Sequence, residues 1–112
     1  MDTKPLSWVG SSRDDLRAMP AEVRHELGFD LRRVQTGGVP RDWKPMAQAG
    51  SGVSEIRVRI GGAYRVLYVA KFPEAVYVLH VFRKKSQKTA RSDLELGRAR
   101  YATVLGTRSR GK

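Results

Sequence analysis

Residues 55–89 read EIRVRIGGAYRVLYVAKFPEAVYVLHVFRKKSQKT, three strand-like stretches parted by two turn signals. This run constrains the fold more than any other part of the chain. Alternation in the first stretch puts Glu55, Arg57 and Arg59 on one face and Ile56, Val58 and Ile60 on the other. Gly61-Gly62 follows, and glycine accepts the positive φ that a tight hairpin needs. The second strand, residues 64–69, carries one arginine, Arg65, among apolar neighbours. Pro73-Glu74 marks the next turn, and residues 75–82 form a third strand that exits into Arg83-Lys84-Lys85-Ser86-Gln87-Lys88. An apolar hairpin system is thus supplied with cations on one face and at one end. Its partner is expected to be anionic.

Charge supports that expectation. Lysine and arginine number 22 against 11 acids, a formal charge of +11 in 112 residues, which favours a polyanion such as nucleic acid. The length suits one domain with a modest core. With no cysteine, disulfides and thiolate metal sites are excluded. No apolar run approaches the roughly 20 residues that span a bilayer, and Met1-Asp2-Thr3-Lys4-Pro5 lacks the form of a secretory signal. A cytoplasmic protein with no membrane partner is the expectation.

Residues 4–9 read as a first strand ending at Gly10. Ser11 and Ser12 offer N-cap oxygens, Asp14 and Asp15 suit a helix N-terminus, and residues 13–19 form a short helix with Leu16 and Met19 inward. Pro20 suits the first position of a second helix, along which Val23, Leu27, Leu31 and Val34 recur at helical spacing until Gly37-Gly38. Gly28 interrupts that helix, and close helix packing is the simplest reason for it. Residues 37–53 are rich in glycine and proline and read as a loop, with Trp43 and Met46 tethering it to the core. Trp43, flanked by Arg41 and Lys44, also has the form of a base-stacking residue. Ser92-Asp93-Leu94-Glu95 has the capping-box pattern, and Leu94, Arg98, Tyr101 and Leu105 then repeat at helical spacing up to Gly106. The expected order is β-α-α-loop-β-β-β-α, a single domain over residues 1–106 with a basic, disordered tail at 107–112.

Few residues carry chemistry. There is no phosphate-binding P-loop, nucleophile elbow or paired-histidine zinc motif, and His25 and His80 are the only histidines. Arg57, Arg59 and Arg65 share a face only if the Gly61-Gly62 turn sets the right register. Otherwise they are a solvated strand face stabilised by pairs with Glu55 or Glu74. Acids are too scarce to pair every cation, and Lys84, Lys85 and Lys88 follow at the strand end, so phosphate binding is the stronger reading. Side chains on opposite faces, or locked to carboxylates, would remove it. His80 sits on an apolar strand as a hydrogen-bonded structural residue or as a general acid or base. Tyr64 and Tyr68 read as core or rim aromatics.

Taken together, EIRVR (55–59), YRVLYVAKF (64–72) and VLHVFRKKSQKT (78–89), the helix with Leu94 and Arg98, Leu27-Gly28 and DWKPM (42–46) resemble the HigB/RelE-like toxins of bacterial type II toxin–antitoxin systems. The likeness is to the small phage-derived HigB-like subgroup and covers nearly the whole chain except the basic tail. It implies an α+β fold, a compact antiparallel sheet with two N-terminal helices on one face, a C-terminal helix and a basic groove. It implies a ribosome-dependent, metal-independent mRNA endonuclease with no cofactor. The implied partners are the ribosome, mRNA and a cognate helix-turn-helix, HigA-like antitoxin in a hetero-oligomer. By position, Arg65 matches the family's phosphate-stabilising arginine, and Arg57 and Arg59 lie where relatives place cations near the scissile phosphate. Lys84 and Lys85 match the basic pair after the last strand, and Arg83 and Lys88 extend that RNA- and ribosome-binding group. Relatives often carry a catalytic tyrosine or histidine after the basic pair, whereas Ser86-Gln87-Lys88-Thr89 stands here. His80 and Lys88 are the substitutes for acid and base. The alternatives are a ParE-like toxin acting on DNA gyrase and a non-catalytic basic RNA- or ribosome-binding module.

Overall fold

A computed structural model describes residues 3–111. Met1, Asp2 and Lys112, which carry part of the expectations for the two termini, lie outside the described residues. The elements are β1 (Leu6–Trp8), α1 (Ser12–Arg17), α2 (Ala21–Gln35), β2 (Trp43–Pro45), β3 (Val53–Arg59), β4 (Ala63–Val69), β5 (Val76–Lys84) and α3 (Arg91–Arg110). They build the expected α+β fold on a five-stranded sheet of order β1-β5-β4-β3-β2. The sheet is mixed: β1 runs parallel to β5, and the other pairings are antiparallel. The presumed loop supplies β2, and a short 3-10 turn, Ala47–Ala49, leads from it towards β3.

Two cores form, one on each sheet face. Val23, Leu27, Leu31 and Val34 of α2 pack on Ile56, Val58, Tyr64, Val66, Tyr68, Val76, Val78 and Val81, joined by Leu16 and Met19. On the opposite face Tyr101 and Val104 of α3 pack on Met46, Ala49, Val53, Leu67, Val69, Leu79 and Phe82. The C-terminal helix therefore covers the face away from α2, and only part of it. What it leaves uncovered is the end of the sheet where Arg57, Arg59, Arg65 and Lys84 stand.

Several local expectations change. Pro20 is the N-cap of α2 and not its first helical residue, and the missing N–H costs nothing at either place. A Cβ at Gly28 would meet nothing within 4 Å, so close packing does not explain that glycine. The capping box is not made: α3 starts at Arg91 behind Ala90, without a side-chain cap, and Asp93 turns instead to His80. Gly106 does not end the helix, which runs to Arg110; Arg108 binds Glu74 and its guanidinium lies 3.8 Å over the Phe72 ring. The buried positions of α3 are Gly97, Tyr101 and Val104, while Leu105 is exposed. Gly97 is where this helix meets the sheet, since a Cβ there would lie 2.7 Å from Leu67 Cδ1. Trp43 belongs to neither core and is 39 % exposed; Met46, with Ala49, tethers the segment.

Candidate functional site

Register decides where the cations go. The turn at residues 60–62 aligns Arg57 with Arg65 and Arg59 with Ala63. Directly paired residues of antiparallel strands share a face. On β5 the ladder shifts between Leu67 and Tyr68, with His80 opposite the first and Val78 opposite the second, so Leu79 is the extra residue of a bulge. Simple alternation from Val76 and Val78 would carry Lys84 to the α2 face. The bulge inverts that parity, and Phe82 and Lys84 face the same way as Arg65 and Ala63.

The result is a groove of about 580 Å³ lined by Arg57, Arg59, Ala63, Arg65, Lys84, Lys85, Ser86 and Gln87. Sequence reasoning missed one neighbour. Lys44 pairs with Glu55 across β2 and β3, so it faces the groove side, and its charge acts on Lys84. Only the β2 pairing reveals this, because a lysine in a presumed loop has no assigned face.

The carboxylates are unevenly shared. Glu55, fully buried, lies 3.4 Å from Arg65 Nε and 3.9 Å from Arg57 Nε, and Arg57 also lies 3.8 Å from Asp42. Among the described residues Glu55 Oε1 and Arg65 Nε have no hydrogen-bond partner, so their contact is an ion pair without hydrogen-bond geometry. Arg65 Nη1 donates to the Tyr64 carbonyl, and Thr89 Oγ1 donates to Glu55 Oε2, drawing the segment after β5 over the buried pair. Arg65 is 2 % exposed and forms the floor of the groove. Burial holds its pKa below the ordinary arginine value; Glu55 opposes that, and Arg57 and Arg59 add to it. Arg59, Lys84 and Lys85 make no ion pair among the described residues. Five cations thus face two carboxylates, and the groove keeps an excess of positive charge. The Lys84 ammonium is pushed below its usual range by desolvation and then by Arg65, Lys44 and Arg57.

Three expected site residues lie elsewhere. His80 Nε2 is 2.7 Å from Asp93 Oδ1 of α3, its ring stacks on Phe82 at 4.5 Å, and it is 6 % exposed and does not line the groove. It fastens the first turn of α3 to the sheet. Arg83 pairs with Tyr64 and lies over that ring at 5.8 Å, on the α2 face. Lys88 is not among the lining residues. Other arginines serve as clamps: Arg98 donates to the Gln48 carbonyl, and Arg100 donates to the Leu79 carbonyl and to Ser11. Among the described residues no group of three or more His, Cys, Asp or Glu side chains is placed to hold a metal ion, and no helix is long and apolar enough to cross a membrane.

Fold and groove define a small α+β protein with a cationic recess at one end of its sheet. A family model described as Phage derived protein Gp49-like (DUF891) matches residues 14–102, which span every lining residue of the groove. The chain belongs to this Gp49-like family, which lies within the HigB/RelE-like toxin group. No curated protein matches it.

Proposed function

We propose that the chain is the toxin of a type II toxin–antitoxin system and cuts mRNA on the ribosome, and that a cognate antitoxin neutralises it. The observation that carries this reading is the gathering of Arg57, Arg59, Arg65, Lys84 and Lys85 around one groove, in a member of the Gp49-like family. In the proposed reaction the RNA 2′-oxygen attacks the adjacent phosphorus and the bond to the 5′-oxygen breaks. A 2′,3′-cyclic phosphate and a 5′-hydroxyl result. The 2′-hydroxyl proton passes to solvent water, since the lining offers no protein base, and the leaving oxygen takes one from a groove ammonium. Charge accumulates on the phosphorane, and fixed cations aimed at it lower the barrier. Arg59 and Lys85 are free to meet the phosphate from the rim, with Arg65 beneath it. Lys84, an ammonium made more acidic by desolvation and then by its cationic neighbours, is the group in the groove best suited to protonate the leaving oxygen.

One observation favours a second reading, RNA or ribosome binding without cleavage: the lining holds no histidine, tyrosine or carboxylate to serve as base. A single experiment separates the two. Purified protein is mixed with ribosomes carrying a defined mRNA, and 5′ ends are mapped by primer extension. Cleavage is expected, with Arg59→Ala and Lys84→Ala each lowering its rate about a hundredfold while circular dichroism is unchanged. Ribosome binding without new 5′ ends would support the binding module. Cleavage indifferent to both substitutions would remove the groove from the mechanism.

A further inference from the structure

A second groove, of about 310 Å³, adjoins the first and shares Arg57 and Arg59 with it. It lies between α2 and the free end of β3 and is also lined by Glu26, Asp30, Arg41 and Asp42. Its volume falls at the small end of ligand pockets. Three features give it recognition chemistry.

Arg41 is fixed in its plane. Its Nε and Nη2 donate to the carboxylate of Asp30, which is 1 % exposed, and Nη2 also donates to Glu26. The guanidinium carbon lies 4.6 Å from the Phe29 ring centroid. With the edge bearing Nε and Nη2 held by carboxylates, Arg41 lines the groove in a fixed position where a ligand can meet it. Immobilised guanidinium planes stack well on nucleobases.

The β3 edge is open there. β2 pairs only with residues 54–56, and Arg57 N donates to the Asp42 carbonyl at 2.9 Å. A strand residue turns its N–H and C=O to one side, and the side repeats every second residue. Arg59 therefore presents a donor and an acceptor to the groove beyond the end of β2.

Asp42 stands beside both. Its side chain is 65 % exposed, and among the described residues its one ion-pair partner is Arg57 at 3.8 Å. A carboxylate matches two adjacent donors, which guanine offers at N1–H and N2–H on its Watson–Crick edge. Adenine offers one donor there beside an acceptor.

We propose that this second groove seats a guanine base of the RNA strand, next to the phosphate in the cationic groove. Arg41 stacks on the base, Asp42 accepts from N1–H and N2–H, and the Arg59 backbone N–H donates to O6. The inference rests on the proposed RNA-binding function and gives the site a sequence preference.

The test uses the full chain, labelled with ¹⁵N and titrated separately with 3′-GMP, 3′-AMP, 3′-CMP, 3′-UMP and inorganic phosphate. All five are expected to shift the amides of Arg57, Lys84 and Lys85. Only 3′-GMP is expected to shift those of Asp42 and Arg59, with an apparent Kd about tenfold lower than that of 3′-AMP. Asp42→Asn should bring the two nucleotides within about twofold, with phosphate binding unchanged. Equal affinities for 3′-GMP and 3′-AMP in the unsubstituted chain, with Lys84 and Lys85 still responding, would overturn the guanine site and leave the phosphate groove standing. Silence at Lys84 and Lys85 with every probe would overturn both.

Discussion

Arg65 and Arg59 show how differently two arginines of one groove can behave. Arg65 is buried against a buried carboxylate, so removing it strands Glu55 in a dry site. Arg65→Ala is expected to cost about 3 kcal/mol in denaturant unfolding. Loss of toxicity in that variant would therefore not by itself report on phosphate binding. Arg59 has no ion-pair partner among the described residues, and Arg59→Ala should leave stability within about 0.5 kcal/mol while weakening RNA binding. Lys84 is the groove residue expected to make binding depend on pH. Its pKa lies below the usual 10.5, so it loses charge at a lower pH than an ordinary lysine would, and in the proposed function RNA affinity is expected to fall with it. A binding titration from neutral to alkaline pH should show that fall, and Lys84→Arg should flatten it because arginine keeps its proton. A pH profile identical in the arginine variant would separate Lys84 from the bound anion.

At the scale of elements, α2 was legible from its apolar stripe, because one side of the helix is buried and the other is wet. By contrast, α3 departs from its local pattern. It presents no continuous apolar stripe; it is held by Gly97, Tyr101 and Val104 and by polar clamps from Asp93, Arg98, Arg100 and Arg108. Those clamps depend on groups far away in sequence, which no local pattern announces. The Arg108–Glu74 clamp has a pH signature. Hydrogen bonds from Arg108 and then Tyr77 hold Glu74 at about 2 against an ordinary 4.5. Its stabilising effect is complete above about pH 4.5 and disappears as pH falls through about 2. Thermal melts of Glu74→Gln against the unsubstituted chain should converge across that window; a constant offset would deny the clamp its role. Two glycines give opposite expectations. Gly28→Ala, in a helix interior with open space, should stabilise by about 0.5–1 kcal/mol. Gly50→Ala should destabilise by more than about 2 kcal/mol, because φ there is +144° and a Cβ would strike the Tyr101 ring. Melting temperatures of the two variants decide both.

For the whole molecule, the excess of positive charge becomes a measurable salt dependence. Binding to single-stranded RNA should weaken linearly on a log–log plot, and replacing Lys84 and Lys85 together should reduce the slope by about 1.4. An unchanged slope would mean that neither lysine meets a phosphate. Composition, alternation and the Gly61-Gly62 turn were enough to foresee the basic character, the β3–β4–β5 hairpins and the common face of Arg57 and Arg59, while the register that brings Arg65 onto that face came from the structure. Each foreseen feature follows from interactions between residues close in sequence, where a period of two and a short turn leave little freedom. Tertiary structure alone decided that the bulge at Leu79 swings Lys84 to the groove, that β2 brings Lys44 beside it, and that α3 leaves this end of the sheet uncovered. Those outcomes depend on which distant surfaces pack together, and a bulge or an edge pairing is chosen by that packing and not by the local pattern of residues.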